Sequence, residues 1–159
     1  MTLVILGIQD KDFSRLLKKI DQLIANHKIK DEVVVQAGTT KYQSSHMKIF
    51  DLIPMTEFNR LIGKADLIIT HGGVGSIIQS LKKQKKVIVV PRLKEYGEHT
   101  NNHQLQIVNE FSKKGYVIPC TDIENLDDAL AQVKDFNPKP YKSNNTQMIQ
   151  LISQFIDNA

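Results

Sequence analysis

Short runs of apolar residues alternate along the chain with stretches whose apolar positions recur every three or four residues. Leu3-Val4-Ile5-Leu6 is continuous apolar sequence closed by Gly7, and it predicts a buried strand. Phe13, Leu16, Leu17, Ile20, Leu23 and Ile24 then follow at helical spacing. Glu32 to Gln36 predicts a second strand, closed by Ala37-Gly38, and the polar stretch from Thr39 to Met47 predicts an exposed loop. Lys48 to Ile53 predicts a short third strand. Pro54 opens a helix carrying Phe58, Leu61 and Ile62, with Gly63 near its end. Asp66 to Thr70 predicts a strand running into His71-Gly72-Gly73-Val74-Gly75-Ser76, and the helix after it carries Ile77, Ile78 and Leu81. Lys86 to Val90 is the next strand, cut off by Pro91. A polar loop from Arg92 to Glu98 leads to a helix with Leu105, Ile107, Val108 and Phe111, ending near Gly115. Tyr116 to Ile118 reads as the last strand. Two helices, at about 124–134 and 144–157, finish the chain, with Pro138 and Pro140 between them.

Strands that are apolar on both faces, alternating with amphipathic helices, predict an α/β fold. Its core is a doubly wound parallel sheet covered by helices on each side, a Rossmann-like single domain spanning residues 1–159. In such sheets ligands bind outside the carboxyl ends of the strands. That rule selects the loops after Leu6, Thr70 and Val90 before any chemistry is considered.

Composition narrows the classes. Hydrophobic residues make up 41% and charged residues 24% of 159, the balance of an ordinary globular domain. No run approaches the roughly 18 apolar residues of a membrane span. The apolar start from Met1 to Gly7 is short and lacks the basic flank of a signal peptide. The single Cys120 provides no disulfide framework or multi-cysteine zinc site, and a cytoplasmic location is expected. The net charge of +4 is mild. Its densest run, Lys82 to Lys86, falls where cations complement the negative end of a helix dipole, and attraction to an anionic surface or a nucleotide is the sharper alternative.

Three segments carry candidate chemistry. Glycines at 72, 73 and 75, between a strand and a helix, free backbone N–H groups and let a ligand approach the main chain, where the helix amino end favours a phosphate. Ser76 is a candidate cap or phosphate donor. The segment is neither a Walker A loop nor a dinucleotide fingerprint in its usual place, and a bare βα turn is the bland reading. The second segment runs from Pro91 to Gln104 and gathers Arg92, Glu98, His99, Asn102, His103 and Gln104. His99 and His103 are spaced for one helical face, and His71 is the nearest third ligand for a metal. Hydrogen bonding to a polyhydroxyl ligand suits this Asn/His/Gln set better than zinc, and a solvated loop is the bland alternative. The third segment is the loop Gly7-Ile8-Gln9-Asp10, otherwise a plain turn with Asp10 or Asp12 capping the helix.

The stretch from Ala65 to Ser76, with Pro91-Arg92 and Glu98 to Gln104, resembles the carboxy-terminal domain of glycosyltransferase family 28. The closer likeness is to the small catalytic subunits of split transferases: the Alg-type soluble subunit, and bacterial polysaccharide subunits of the PssE and EpsF kind. The resemblance covers about residues 2–120, and Ile8 replaces the usual threonine of the opening loop. It implies half of a GT-B enzyme, the half that holds a UDP-sugar donor. A membrane-associated partner subunit of the Alg or PssD type would supply the other half, the lipid-linked saccharide acceptor and recruitment to the cytoplasmic face of the membrane.

The resemblance further implies that Gly7, Gln9, Gly72, Gly73, Val74, Gly75, Ser76, Gln79, Arg92, His99, Asn102, His103 and Gln104 bind the donor. His71 and Glu98 would take part in the chemistry, and no metal or other cofactor would be required. Gln79 stands where relatives carry an acid that contacts the ribose, a departure that favours UDP-galactose over UDP-GlcNAc and exopolysaccharide or capsule synthesis as the setting. A non-catalytic enhancer and a stand-alone nucleotide-binding module are the rival classes. Met148, Ile149, Ile152, Phe155 and Ile156 form a helical stripe in the tail that would pack on the domain's own sheet or dock the partner. If it docks the partner, truncation after Pro140 weakens co-purification of the two subunits, and undiminished co-purification refutes docking.

Overall fold

The computed structural model describes residues 1–142 and Ser153. The predicted tail helix at 144–157, with its docking role, lies outside the described residues apart from Ser153.

Six strands form one parallel sheet: β1 (Thr2–Ile5), β2 (Val33–Gln36), β3 (Lys48–Phe50), β4 (Leu67–His71), β5 (Lys86–Val90) and β6 (Ile118–Pro119), in the order β3-β2-β1-β4-β5-β6. The α/β, doubly wound expectation holds. The third strand is shorter than predicted, because Asp51 and Leu52 are exposed and Pro54 already fixes the start of the next helix.

The alternation of strand side chains divides the core in two. On one face Val4, Leu6, Val35, Ile69, Ile88 and Val90 pack with Phe13, Leu16, Leu17, Ile20 and Leu23 of α1 (Ser14–Ala25) and with Leu126 and Ala129 of α5 (Leu126–Gln132). On the other, Leu3, Ile5, Val34, Ile68, Val87 and Val89 meet three helices. These are α2 (Met55–Lys64) through Ile62, α3 (Val74–Lys82) through Ile77 and Leu81, and α4 (His103–Lys113) through Ile107, Val108 and Phe111. Each central strand is buried on both sides. That explains why their sequences are continuous apolar runs, with no alternation of apolar and polar residues.

Local chemistry sets the boundaries. Asp12 accepts the Ser14 N–H at 3.1 Å just before α1, but the cap position is held by Phe13, so the expectation that Asp10 or Asp12 caps the helix is corrected. Asn101 accepts the His103 N–H at 2.9 Å and starts α4 there. His99 therefore lies in the preceding turn, and the expectation that His99 and His103 share a helical face is corrected. The predicted helix at 124–134 is instead a 3-10 turn at Ile123–Asn125, helix α5 and a second turn at Val133–Asp135.

The topology decides where a ligand goes. Strands β1 and β4 are neighbours, but the helix after β1 covers one face of the sheet and the helix after β4 covers the other. The connections that leave their carboxyl ends turn to opposite faces, and a crevice opens between them at this reversal of strand order.

Candidate functional site

A cleft of about 370 Å³ opens at this crevice. One wall is the loop after β1, with Gly7, Ile8 and Gln9; the opposite wall is His71 and the start of α3, with Gly73, Gly75, Ser76 and Gln79. An apolar side is built by Leu52 and Ile53 from the β3–α2 connection and by Met55 and Phe58 from the start of α2. Ile8, Leu52 and Met55 leave more than half of their surface in solvent, at 80%, 64% and 59% exposure.

His71 is the packed centre of the site. A Cβ built on Gly7 would lie 2.3 Å from His71 Nε2, and one on Gly73 would lie 2.3 Å from Cε1. Only glycine admits the ring edge on both sides. Gly7 also holds φ +83°, a left-handed backbone that favours glycine. Behind the ring, Gln104 Nε2 lies 3.2 Å from His71 Nδ1, while Gln104 Oε1 accepts the N–H groups of Gly72 and Arg92, each at 2.9 Å. Burial, helped by the nearby Arg92 charge, brings the His71 pKa down to about 3, so the ring is neutral at physiological pH. His71 therefore offers the cleft a hydrogen bond and not a positive charge.

The amino end of α3 carries the second feature. Helix α3 begins at Val74, with Gly73 in an extended conformation before it, so the first N–H groups of the helix lie at the cleft. Ser76 lies inside the first turn and is not the cap. Its hydroxyl remains a candidate donor at the cleft wall. Gln79, one turn further on, donates to Met55 Sδ at 3.4 Å and so connects the polar wall to the apolar one.

Several predicted residues stand behind the cleft and do not line it. Arg92 is fully buried. Its guanidinium donates to the carbonyls of Leu6 (2.7 Å), Lys11 (2.8 Å) and Glu98 (3.1 Å) and lies over the Phe13 ring, 4.9 Å from its centroid. Burial lowers its pKa to about 10, which leaves it charged at neutral pH. Arg92, expected among the donor-binding residues, stands behind the cleft: its two terminal nitrogens bond main-chain carbonyls that include both ends of the β1–α1 loop, and its buried Nε has no hydrogen-bond partner. Glu98, expected to act in the chemistry, is also buried. Its carboxylate takes Arg15 in a two-point ion pair at 2.8 and 3.0 Å and accepts the Leu93 N–H at 3.2 Å. Gln104 is 3% exposed, and Gly72 packs against it, since a Cβ there would come within 2.8 Å of Gln104 Cβ.

Val74 is half-buried against the apolar core. His99, Asn102 and His103 lie beyond the lining, at the approach to α4. Asn102 accepts the Lys94 N–H at 2.9 Å. Burial and the Arg92 charge lower the pKa of His99.

One residue of the site escaped the sequence reading. Gln36, buried at the end of β2, accepts the Gly7 N–H at 3.0 Å and donates back to the Gly7 carbonyl at 3.1 Å. It clamps the turn that faces His71. A glutamine ending an otherwise all-valine strand was the available signal. The apolar wall escaped as well, its signal being Leu52-Ile53 just beyond the strand.

The model of the glycosyltransferase family 28 C-terminal domain matches residues 1–158. The chain belongs to this family. Among relatives, a UDP-N-acetylglucosamine transferase subunit ALG13 from Debaryomyces hansenii is 30% identical over 129 residues, covering 80% of this chain and 55% of that protein. The human protein of that name is 42% identical over 60 residues, covering 38% of this chain and 5% of its own length. The match thus spans at most 55% of either relative. Among solved structures, the solution structure of ALG13 aligns with TM-score 0.60 at 20% identity, over 95% of this chain and 93% of that one. The UDP-GlcNAc 2-epimerase of Methanocaldococcus jannaschii aligns with TM-score 0.63 at 18% identity, over 99% and 45%. These two likenesses show the Rossmann-like fold of the family. Among the described residues no helix is long and apolar enough to cross a membrane.

Two outcomes follow from the packing around His71. Gly73→Ala forces the ring out of its slot and lowers stability by about 1–3 kcal/mol. Gly75→Ala, whose Cβ meets nothing within 4 Å, raises it by up to ~1 kcal/mol, the helix propensity gain. Equal midpoints in urea unfolding of the two variants contradict the slot. The folded His71 pKa of about 3 lies below the ordinary 6.5, so the unfolded chain takes up a proton that the folded chain refuses. Stability is then full above about pH 6.5 and falls towards pH 3, by up to ~1.4 kcal/mol per pH unit. A urea midpoint that does not fall between pH 7 and pH 5 rules out the buried neutral ring.

Proposed function

We propose that this chain is the catalytic, donor-holding subunit of a two-component glycosyltransferase. It transfers N-acetylglucosamine from UDP-GlcNAc to a lipid-linked saccharide presented by a membrane-associated partner subunit. The observation that carries the reading is the opening of the α3 amino end onto the cleft, beside a neutral histidine and opposite an apolar wall. A nucleoside diphosphate sugar has matching parts: a flat base for the apolar side, a diphosphate for the N–H groups, and a sugar beyond. Gln79 stands on the wall between base and diphosphate and is suited to a ribose hydroxyl.

When the bond from sugar to diphosphate breaks, negative charge builds on the leaving phosphate. The free N–H groups at residues 74–76, with the helix dipole behind them, stabilise that charge without reorganisation. The reading is of transfer without a required metal, supported by this preset donor array. His103, at the start of α4, and Asn102 and His99 before it lie beyond the cleft lining, and the reading assigns them to the sugar end of the donor. The base that deprotonates the acceptor hydroxyl is assigned to the partner, since Glu98, the acid expected to act here, is sealed in its ion pair.

Two sugars compete for the site. Gln79 in place of an acid favours galactose, whereas the relatives are named as UDP-N-acetylglucosamine transferase subunits. The named relatives carry more weight than one substituted side chain, so the reading takes GlcNAc.

Calorimetry of the full chain with UDP, UDP-GlcNAc and UDP-galactose, with and without Mg²⁺, tests site, sugar and metal together. The expected result is Mg²⁺-independent binding with UDP-GlcNAc preferred, and transfer to a lipid-linked acceptor only after reconstitution with the partner. Preference for UDP-galactose overturns the sugar. Binding that ignores the attached sugar, without transfer on reconstitution, favours a nucleotide-binding module.

A further inference from the structure

From the hydrogen bonds around Gln104 we infer that this residue is a positioning residue: it locks His71 in the tautomer whose Nε2–H faces the cleft. The orientation of the amide follows from its surroundings. Gln104 Oε1 lies 2.9 Å from two backbone nitrogens, those of Gly72 and Arg92. Both are N–H donors, so the atom they meet has to be the oxygen. The amide NH2 group is then the atom 3.2 Å from His71 Nδ1. An NH2 donates and does not accept. His71 Nδ1 therefore accepts, and in a neutral ring the single proton resides on Nε2.

The place of Nε2 gives the lock its use. That nitrogen lies at the edge of the ring held between Gly7 and Gly73, the two glycines that face each other across the cleft wall. The chain thus presents a fixed, uncharged donor beside the N–H groups of the α3 amino end. The opposite tautomer would present a lone pair there and repel an anionic ligand. Gln104 is 3% exposed and bonded to Gly72, Arg92 and His71, so its part is played through the imidazole and not by contact with the sugar. Gly72 belongs to the same device, because any Cβ at that position collides with the Gln104 side chain.

The consequence for an anionic ligand rests on the proposed function, but the tautomer itself does not. Nitrogen NMR of the full chain labelled with ¹⁵N in histidine and in the glutamine side chain reads the tautomer directly at about pH 7. In the unaltered protein we expect His71 Nε2 to carry the proton, Nδ1 to be bare, and a scalar coupling across the hydrogen bond from Gln104 Nε2 to His71 Nδ1. Gln104→Glu preserves the acceptor for Gly72 and Arg92 but turns an oxygen towards Nδ1. A proton must then sit on Nδ1, with Nε2 bare in the neutral ring or protonated in an imidazolium. A bare Nε2 weakens UDP binding by about tenfold, the loss of one hydrogen bond to a charged group.

A proton on Nδ1 of the unaltered protein, or an exchanging mixture of tautomers, overturns the lock. So does an unchanged His71 pattern in a folded Gln104→Glu chain. If that variant does not fold, the tautomer and the coupling in the unaltered protein decide the question alone. A locked Nε2–H tautomer in a chain that does not bind UDP leaves the lock standing and removes the proposed function.

Discussion

The site depends on the close contact of an imidazole with two glycines. His71 ends β4, and its ring fills the space between the turn after β1 and the turn before α3. Because β1 and β4 are hydrogen-bonded neighbours, their carboxyl ends are held at fixed separation, and the ring sets how closely the two turns approach. Any side chain at Gly7 or Gly73 would displace it.

Polar side chains without access to solvent hold these turns in place. Gln36 clamps Gly7 through a reciprocal pair of hydrogen bonds, Arg92 ties Leu6 and Lys11 at the two ends of the same loop, and Gln104 joins the strand ends of β4 and β5. Buried polar groups are costly unless they are hydrogen-bonded; Arg92 Nε has no partner, but the bonds these three side chains do make favour one arrangement of the backbone. The loops that carry the site are thus as fixed as the sheet that carries the loops. Arg15 and Glu98 extend the same logic outward, joining α1 to the β5–α4 connection over the exposed ring of Tyr96, whose centroid lies 4.3 Å from the Arg15 guanidinium.

This arrangement explains why a sequence rich in candidate ligands yields a small set at the cleft. Pro91 to Gln104 looked like one polar surface because residue type carries no sign of direction. The structure divides it: Arg92, Glu98 and Gln104 turn inward and brace the walls, while His99, Asn102 and His103 remain at the approach. Removal from solvent keeps His71 neutral, and it seals the Glu98 carboxylate in its pair with Arg15.

The sequence by itself determined the order of the six strands, the helices α1 to α4 and the class of fold. Apolar runs, helical spacing and the glycines and prolines at their ends are local properties, and a parallel sheet leaves few ways to cover such strands. It also located the glycine loop and pointed to the carboxyl ends of β1 and β4, since that rule needs only the order of elements. Tertiary structure alone decided which polar side chains face the cleft and which brace it, and what charge His71 carries. It also brought Gln36 to Gly7 and Leu52 and Met55 to the opposite wall. The physical reason is separation along the chain. Gln104 meets His71 and Gly72 from 33 and 32 residues away, and Arg92 reaches Leu6 across 86. Contacts over such intervals exist only once the sheet has assembled, and burial, which sets both hydrogen-bond strength and protonation, is a property of that assembly.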